Sequence, residues 1–179
     1  MREFRDDQGR PWHVSLTVSS AARVRDLVRV VPPPKTAEEP APTEAVPFDL
    51  IDAGDIARTF QILRSNFSAL GETLYALLLP AIEKAGLSKE QFLDGLRGES
   101  LEQGGLAVEE ELIAFFPPRL RGVVTSLAAR MTELAEEVTK QAEAALKAPG
   151  ASSGNAPESS ASTQESGPSD NSSPLVTAA

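Results

Sequence analysis

Residues 100–146 read SLEQGGLAVEEELIAFFPPRLRGVVTSLAARMTELAEEVTKQAEAAL, and this stretch decides the fold class. It divides at Phe116-Pro117-Pro118, because a residue before proline is pushed out of the helical region. Upstream, Leu101, Val108, Leu112, Phe115 and Phe116 form a one-sided apolar stripe. Glu102, Glu109, Glu110 and Glu111 fall mostly on the other side, the pattern of a surface helix. Downstream, Leu120, Val124, Leu127, Met131, Leu134 and Val138 are spaced alternately four and three. That 3.5-residue repeat is the seam of a helix lying along another helix. Packing inside the chain's own bundle uses similar spacing, so the seam is either internal core or a partner-binding face.

Working outward, the chain is expected to be mainly α with a small β component (α+β). An N-terminal β-hairpin packs on a multi-helix domain, and a disordered C-terminal tail follows. The expected organisation is a hairpin and first helix over 1–31, a proline-rich spacer over 32–47, a helical domain over 48–148 and a tail over 149–179. In the hairpin, Arg2 to Arg5 is a strand and Asp6-Asp7-Gln8-Gly9 a turn. Trp12, Val14, Leu16 and Val18 then alternate with His13, Ser15 and Thr17, the signal of a half-buried strand. Two strands alone are marginal, so their apolar face needs a helix or another chain to lie on.

Ser19-Ser20 offers a helix N-cap, followed by a stripe of Val24, Leu27, Val28 and Val31 that stops at Pro32. The segment PPPKTAEEPAPTEAVP favours extended polyproline backbone and reads as a spacer. Asp52 or Asp55 caps a helix carrying Ile56, Phe60, Ile62 and Leu63, and Asn66 or Ser68 marks a possible second start. Whether residues 55–79 form one helix or two stays open; Pro80 kinks or restarts the run. Gly86 suits a left-handed C′ position, and Ser88-Lys89-Glu90-Gln91 is a capping box. Gly104 and Gly105 either permit a close helix crossing or mark a break. After Leu146 the composition turns to serine, alanine, proline, glycine and acids, a disorder signature.

A formal charge of −9 over 179 residues argues against a general nucleic-acid binder, which needs basic side chains to displace counterions. Cysteine is absent, and His13 is the single histidine, so neither a nucleophilic triad nor a soft metal site can be assembled. Asp49, Asp52 and Asp55 lack the glycine and terminal glutamate of an EF-hand and read as helix-start residues. Glu109, Glu110 and Glu111 are consecutive on a helix and point in different directions. Phosphate-binding glycine loops are missing. No catalytic, cofactor or metal residue is therefore assigned, and no enzyme is expected. No apolar run reaches the roughly 18 residues of a membrane span. The start, MREFRDDQGR, lacks a signal-peptide core, so a cytoplasmic location is expected.

Several motifs together resemble a family of small prophage-encoded proteins similar to the tail assembly chaperones of tailed bacteriophages. They are Asp6, Gly9, Arg10 and Trp12; Arg23, Val24 and Arg25; Phe92, Leu96, Gly98, Glu99, Leu101 and Glu102; and Phe115, Phe116 and Pro117. The resemblance implies a non-enzymatic role in the host cytoplasm: binding the long helical tape-measure protein until the tail tube polymerises around it. The partner would be another phage protein, bound through the 120–138 seam, with no nucleic acid and no membrane. Within that setting the alternative is a structural minor tail or head–tail connector component, in which the seam would build a homo-oligomer.

Overall fold

The computed structural model describes residues 2–34, 40 and 42–147. Strands β1 (Arg2–Arg5) and β2 (Pro11–Val14) form the expected antiparallel hairpin, with Phe4 opposite Trp12. Helices α1 (Val18–Leu27), α2 (Ile56–Ser65), α3 (Phe67–Lys84), α4 (Lys89–Asp94), α5 (Gly98–Phe115) and α6 (Pro118–Lys147) make up most of the rest. A second, two-residue ribbon pairs β3 (Arg29–Val30) with β4 (Val46–Pro47). One core cluster runs from Phe4 to Ala128, so the hairpin, α1 and the later helices share a single interior. The expected tail over 149–179 lies outside the described residues.

Helix α3 is the hub. Its sequence FSALGETLYALLLPAIEK is apolar around most of its circumference, and it packs against α1, α2, α4, α5 and β2. The open question over 55–79 resolves as two helices. Asn66 sits between α2 and α3 outside helical geometry, and its side chain accepts from the Ala69 N–H. Pro80 neither ends nor restarts the helix, which continues to Lys84. Proline lacks the N–H that would reach back to the Ala76 carbonyl. Arg23 supplies the missing donor: its Nε lies 2.7 Å from that oxygen. The Schellman motif after α3 is complete, with Gly86 at φ 67°, its N–H on Glu83 O and the Leu87 N–H on Ile82 O.

The N-terminal segment departs from its sequence reading in four places. The cap of α1 is Thr17, which exchanges hydrogen bonds with Ser20, rather than Ser19-Ser20. Val18 is consequently the first helical residue and is exposed, so the strand alternation ends at Leu16. The helix stops at Leu27 because the next residues are drawn into the β3–β4 ribbon, which buries Val28 and Val30 by alternation. Leu27 and Val31, expected on the inner stripe, are instead about half exposed. The same ribbon gives the spacer an anchored end, and Arg58 Nη2 donates to Pro33 O at its start.

The hairpin is fixed by a polar knot. Asp6 is buried; its Oδ1 accepts the N–H groups of Gln8 and Arg10, and its Oδ2 accepts Arg10 Nε (2.6 Å) and Trp12 Nε1 (2.9 Å). Trp12 stands edge-on to Phe92, with centroids 5.2 Å apart, and the Asp7 N–H bonds Gly95 O. Burial alone would raise the Asp6 pKa, but the hydrogen bonds from Trp12 and Arg10, with the Arg10 charge, hold it below its ordinary value. A carboxylate with a depressed native pKa stabilises the fold above its unfolded pKa and loses that contribution as pH falls through the native one. Asp6→Ala should therefore cost ~3 kcal/mol at neutral pH. In urea titrations at successive pH values, the gap from the parent should shrink on acidification below pH 3.8; a gap independent of pH would remove the ionic role.

Of the two readings for the paired glycines, the close crossing holds. A Cβ on Gly104 would lie 2.8 Å from Leu74 Cδ1, and one on Gly105 would lie 3.1 Å from Leu70 Cδ2. Leu74 is fully buried and cannot swing away cheaply. Gly104→Ala should thus lower stability by ~1–2 kcal/mol despite its better helix propensity. Gly122→Ala, on exposed α6 with nothing within 4 Å, should raise it by ~0.5–1 kcal/mol. Equal effects at the two sites by thermal melting would show that packing does not decide the first.

Candidate partner-binding groove

Helix α6 leaves the body at Phe116-Pro117-Pro118, where Phe116 is buried in extended backbone and Arg121 donates to the Ala114 and Phe116 carbonyls at the end of α5. With 30 residues it is about 45 Å long, far longer than the surface it packs on. The six seam residues do not share one environment. Val124 is buried, Leu127 and Met131 pack partly against the core, and Leu120 is exposed. Leu134 and Val138 are 62% and 65% exposed. The seam thus meets the core from Val124 to Met131 and is open surface at Leu120, Leu134 and Val138, so it is not one continuous binding face.

The change falls at a clasp centred on Arg64, the residue before the end of α2. Its Nε and Nη2 bond both carboxylate oxygens of Glu109 on α5 at 2.7 and 2.6 Å. Its Nη1 reaches Ala128 O and Thr132 Oγ1 on α6. Hydrogen bonding to Glu109 raises the Arg64 pKa against the opposing cost of burial, so the charge is secure. This corrects the reading of Glu109 as an outward residue of α5: it is buried and paired. Glu111 is buried too, accepting the Leu16 N–H, whereas Glu110 meets Arg2 near the surface.

Beyond the clasp α5 and α6 border an open groove of about 970 Å³. Leu63, Phe67 and Leu70 form its floor at the α2–α3 corner. One wall is α5 from Gly98 to Glu109, with Leu101, Gly105 and Leu106; the other is α6 from Thr132 to Glu143. Each wall spans about three helical turns, roughly 17 Å. Phe67 and Leu106 are 67% and 55% exposed, although both are large and apolar. Sequence reasoning missed them. Leu106 stood apart from the stripe of Leu101, Val108 and Leu112, and that isolation was the available signal.

Several polar side chains outside the groove are tied up in local bonds. His13 faces outward on β2, 3.6 Å from Glu3. Asp49 and Asp52 accept the N–H groups of Ile51 and Gly54 in tight turns. Asp55 occupies the N-cap of α2 but makes no cap bond; its carboxylate meets Arg58 instead. A notch of about 130 Å³ beside these aspartates is small and half apolar. Among the described residues no group of three or more histidine, cysteine, aspartate or glutamate side chains is placed to hold a metal ion. No described helix is long and apolar enough to cross a membrane. Comparison of the chain with protein families, curated proteins and solved structures gives no match.

The clasp sets how firmly the α6 wall is held. Arg64→Ala leaves Glu109 buried without its cation, which costs ~3 kcal/mol when one partner of a buried pair is removed. Amide exchange should then accelerate along 119–144 while α3 stays protected. Uniform acceleration through both helices would show that α6 is not a separately held element.

Proposed function

We propose that the protein is a non-enzymatic assembly factor: a chaperone that holds a helical, aggregation-prone partner of the tape-measure kind during phage tail assembly. One observation carries this reading, the two-walled groove with Phe67 and Leu106 exposed on its floor and wall. An apolar channel about three turns long, bordered by helices, suits an amphipathic helix laid in by its apolar face. Large apolar side chains exposed beside one another mark an interaction surface on a soluble domain. The resemblance in the Asp6–Trp12, Phe92–Glu102 and Phe115–Pro117 motifs supplies the phage setting. A structural component of the particle is the second reading, favoured by Leu134 and Val138 on the projecting half of α6, where copies could pair.

Co-expression with the long helix-rich protein encoded nearby, followed by affinity capture and light scattering, separates the two. A chaperone gives a soluble complex of defined mass with a partner that is insoluble alone. Phe67→Glu and Leu106→Glu should each abolish that complex with circular dichroism unchanged, because neither side chain is buried. Val124→Glu should instead disrupt the docking of α6. A stable ring of this chain alone, dispersed by Leu134→Glu, would replace the chaperone with the connector.

A further inference from the structure

The groove is not electrically neutral. Its lining carries four carboxylates, on Glu102, Glu109, Glu136 and Glu143, against the cations of Arg64 and Lys140, a formal balance of −2. Arg64 is already committed to Glu109 through two short hydrogen bonds. Along the open edges lie Glu102 on the α5 side and Glu136 on the α6 side, the latter one turn before Lys140. Acidic edges thus flank an apolar floor from both walls. Glu102 and Glu136 are exposed, so a partner can approach them without burying an unpaired charge.

We infer that the groove's occupant is an amphipathic helix of about three turns from another protein, with an apolar stripe bordered on both sides by lysine or arginine. The inference rests on the groove being the binding site and adds the chemistry of what enters it. An apolar stripe meets Phe67, Leu70 and Leu106, and basic side chains reach the carboxylates of both walls with their charged heads in water. Complementary rims set orientation and association rate and reject the opposite sign. An acidic helix with the same stripe meets like charge on either side. A second copy of this chain is disfavoured as the occupant, because the exposed half of its own α6 carries Glu133, Glu136, Glu137 and Glu143.

The test uses the full chain and three labelled peptides of about four turns, lactam-bridged because short helices are marginal in water. One has a leucine stripe with lysine rims, one the same stripe with glutamate rims, and one the lysine composition with its leucines scattered. Fluorescence anisotropy should show the lysine-rimmed helix binding at least tenfold more tightly than the other two. The preference should collapse near 1 M salt, where the Debye length falls to about 3 Å. Glu102→Lys combined with Glu136→Lys should reverse the preference between lysine and glutamate rims, and Leu106→Glu should abolish binding of both.

Equal binding of both striped helices, still lost in Leu106→Glu, would overturn the basic-partner inference and leave the groove reading intact. Binding of the scattered peptide as tight as that of the lysine-rimmed helix would reduce the effect to general charge attraction and overturn the inference. Failure of every peptide would remove the groove reading itself. A dimer of the chain alone in sedimentation, made monomeric by Leu106→Glu, would assign the groove to a second copy and overturn the inference.

Discussion

Helix α3 must be covered around most of its circumference. Leu70, Leu74, Leu77, Leu78 and Ile82 share one broad face, Ala69, Thr73 and Ala76 widen the buried arc, and leaving that arc in water would forfeit about 25 cal/mol for each Å² of apolar surface. The order of the other elements follows from that demand: α1 on one flank, α2 and α4 on others, and α5 with the hairpin closing the last. Polar groups inside such a shell need partners from the shell itself. Thr73 returns its hydroxyl to Ala69 O, and the carbonyl that Pro80 leaves open is met by Arg23 from α1. The glycines complete the arrangement, since Gly71, Gly104 and Gly105 face Leu93, Leu74 and Leu70 at distances that leave little room for a methyl group.

The motifs that suggested a phage-encoded family turn out to be parts of this shell. Asp6, Gly9, Arg10 and Trp12 form the knot that holds the hairpin against Phe92 and Gly95. Arg23 serves α3, and Gly98 takes a φ of 47° that a side chain would strain, at the first turn of α5. Phe116 and Pro117 close α5 and aim α6. Residues that specify a fold say little about its use, because fold and function are separable. The groove is built largely from positions outside those motifs, with Gly98, Leu101 and Glu102 the points of overlap.

Local chemistry was legible in the sequence, and contacts between distant segments were not. The Ser88–Gln91 capping box, the Gly86 stop and the hairpin turn each depend on residues within a few positions of one another, and each was readable. Glu109 was misplaced because its partner, Arg64, lies 45 residues away, and Glu111 because it meets Leu16 from 95 residues away. The early end of α1 has the same origin: Val28 and Val30 leave the helix for a ribbon whose second strand is the far end of the proline segment. The seam on α6 shows the limit most plainly. Periodicity states that a face is apolar, but which part of it meets the body depends on where α2 and α5 end.

That division shapes how the groove works. One wall, α5, belongs to the shell around α3 and is seated on it through Gly104, Ala107, Val108 and Leu112. The other belongs to a helix anchored through Val124, Ala128 and the Arg64 clasp, and every described side chain of 132–144 is exposed. A ligand that touches both walls stabilises whichever arrangement it binds best, so its binding and the seating of α6 are reciprocally coupled. Ordering the weaker wall subtracts from the affinity that the apolar contact alone would give. Under the proposed chaperone role, in which the partner has to be released, this moderation is useful: a groove with one core-packed wall and one lightly held wall can recognise a helix and still let it go.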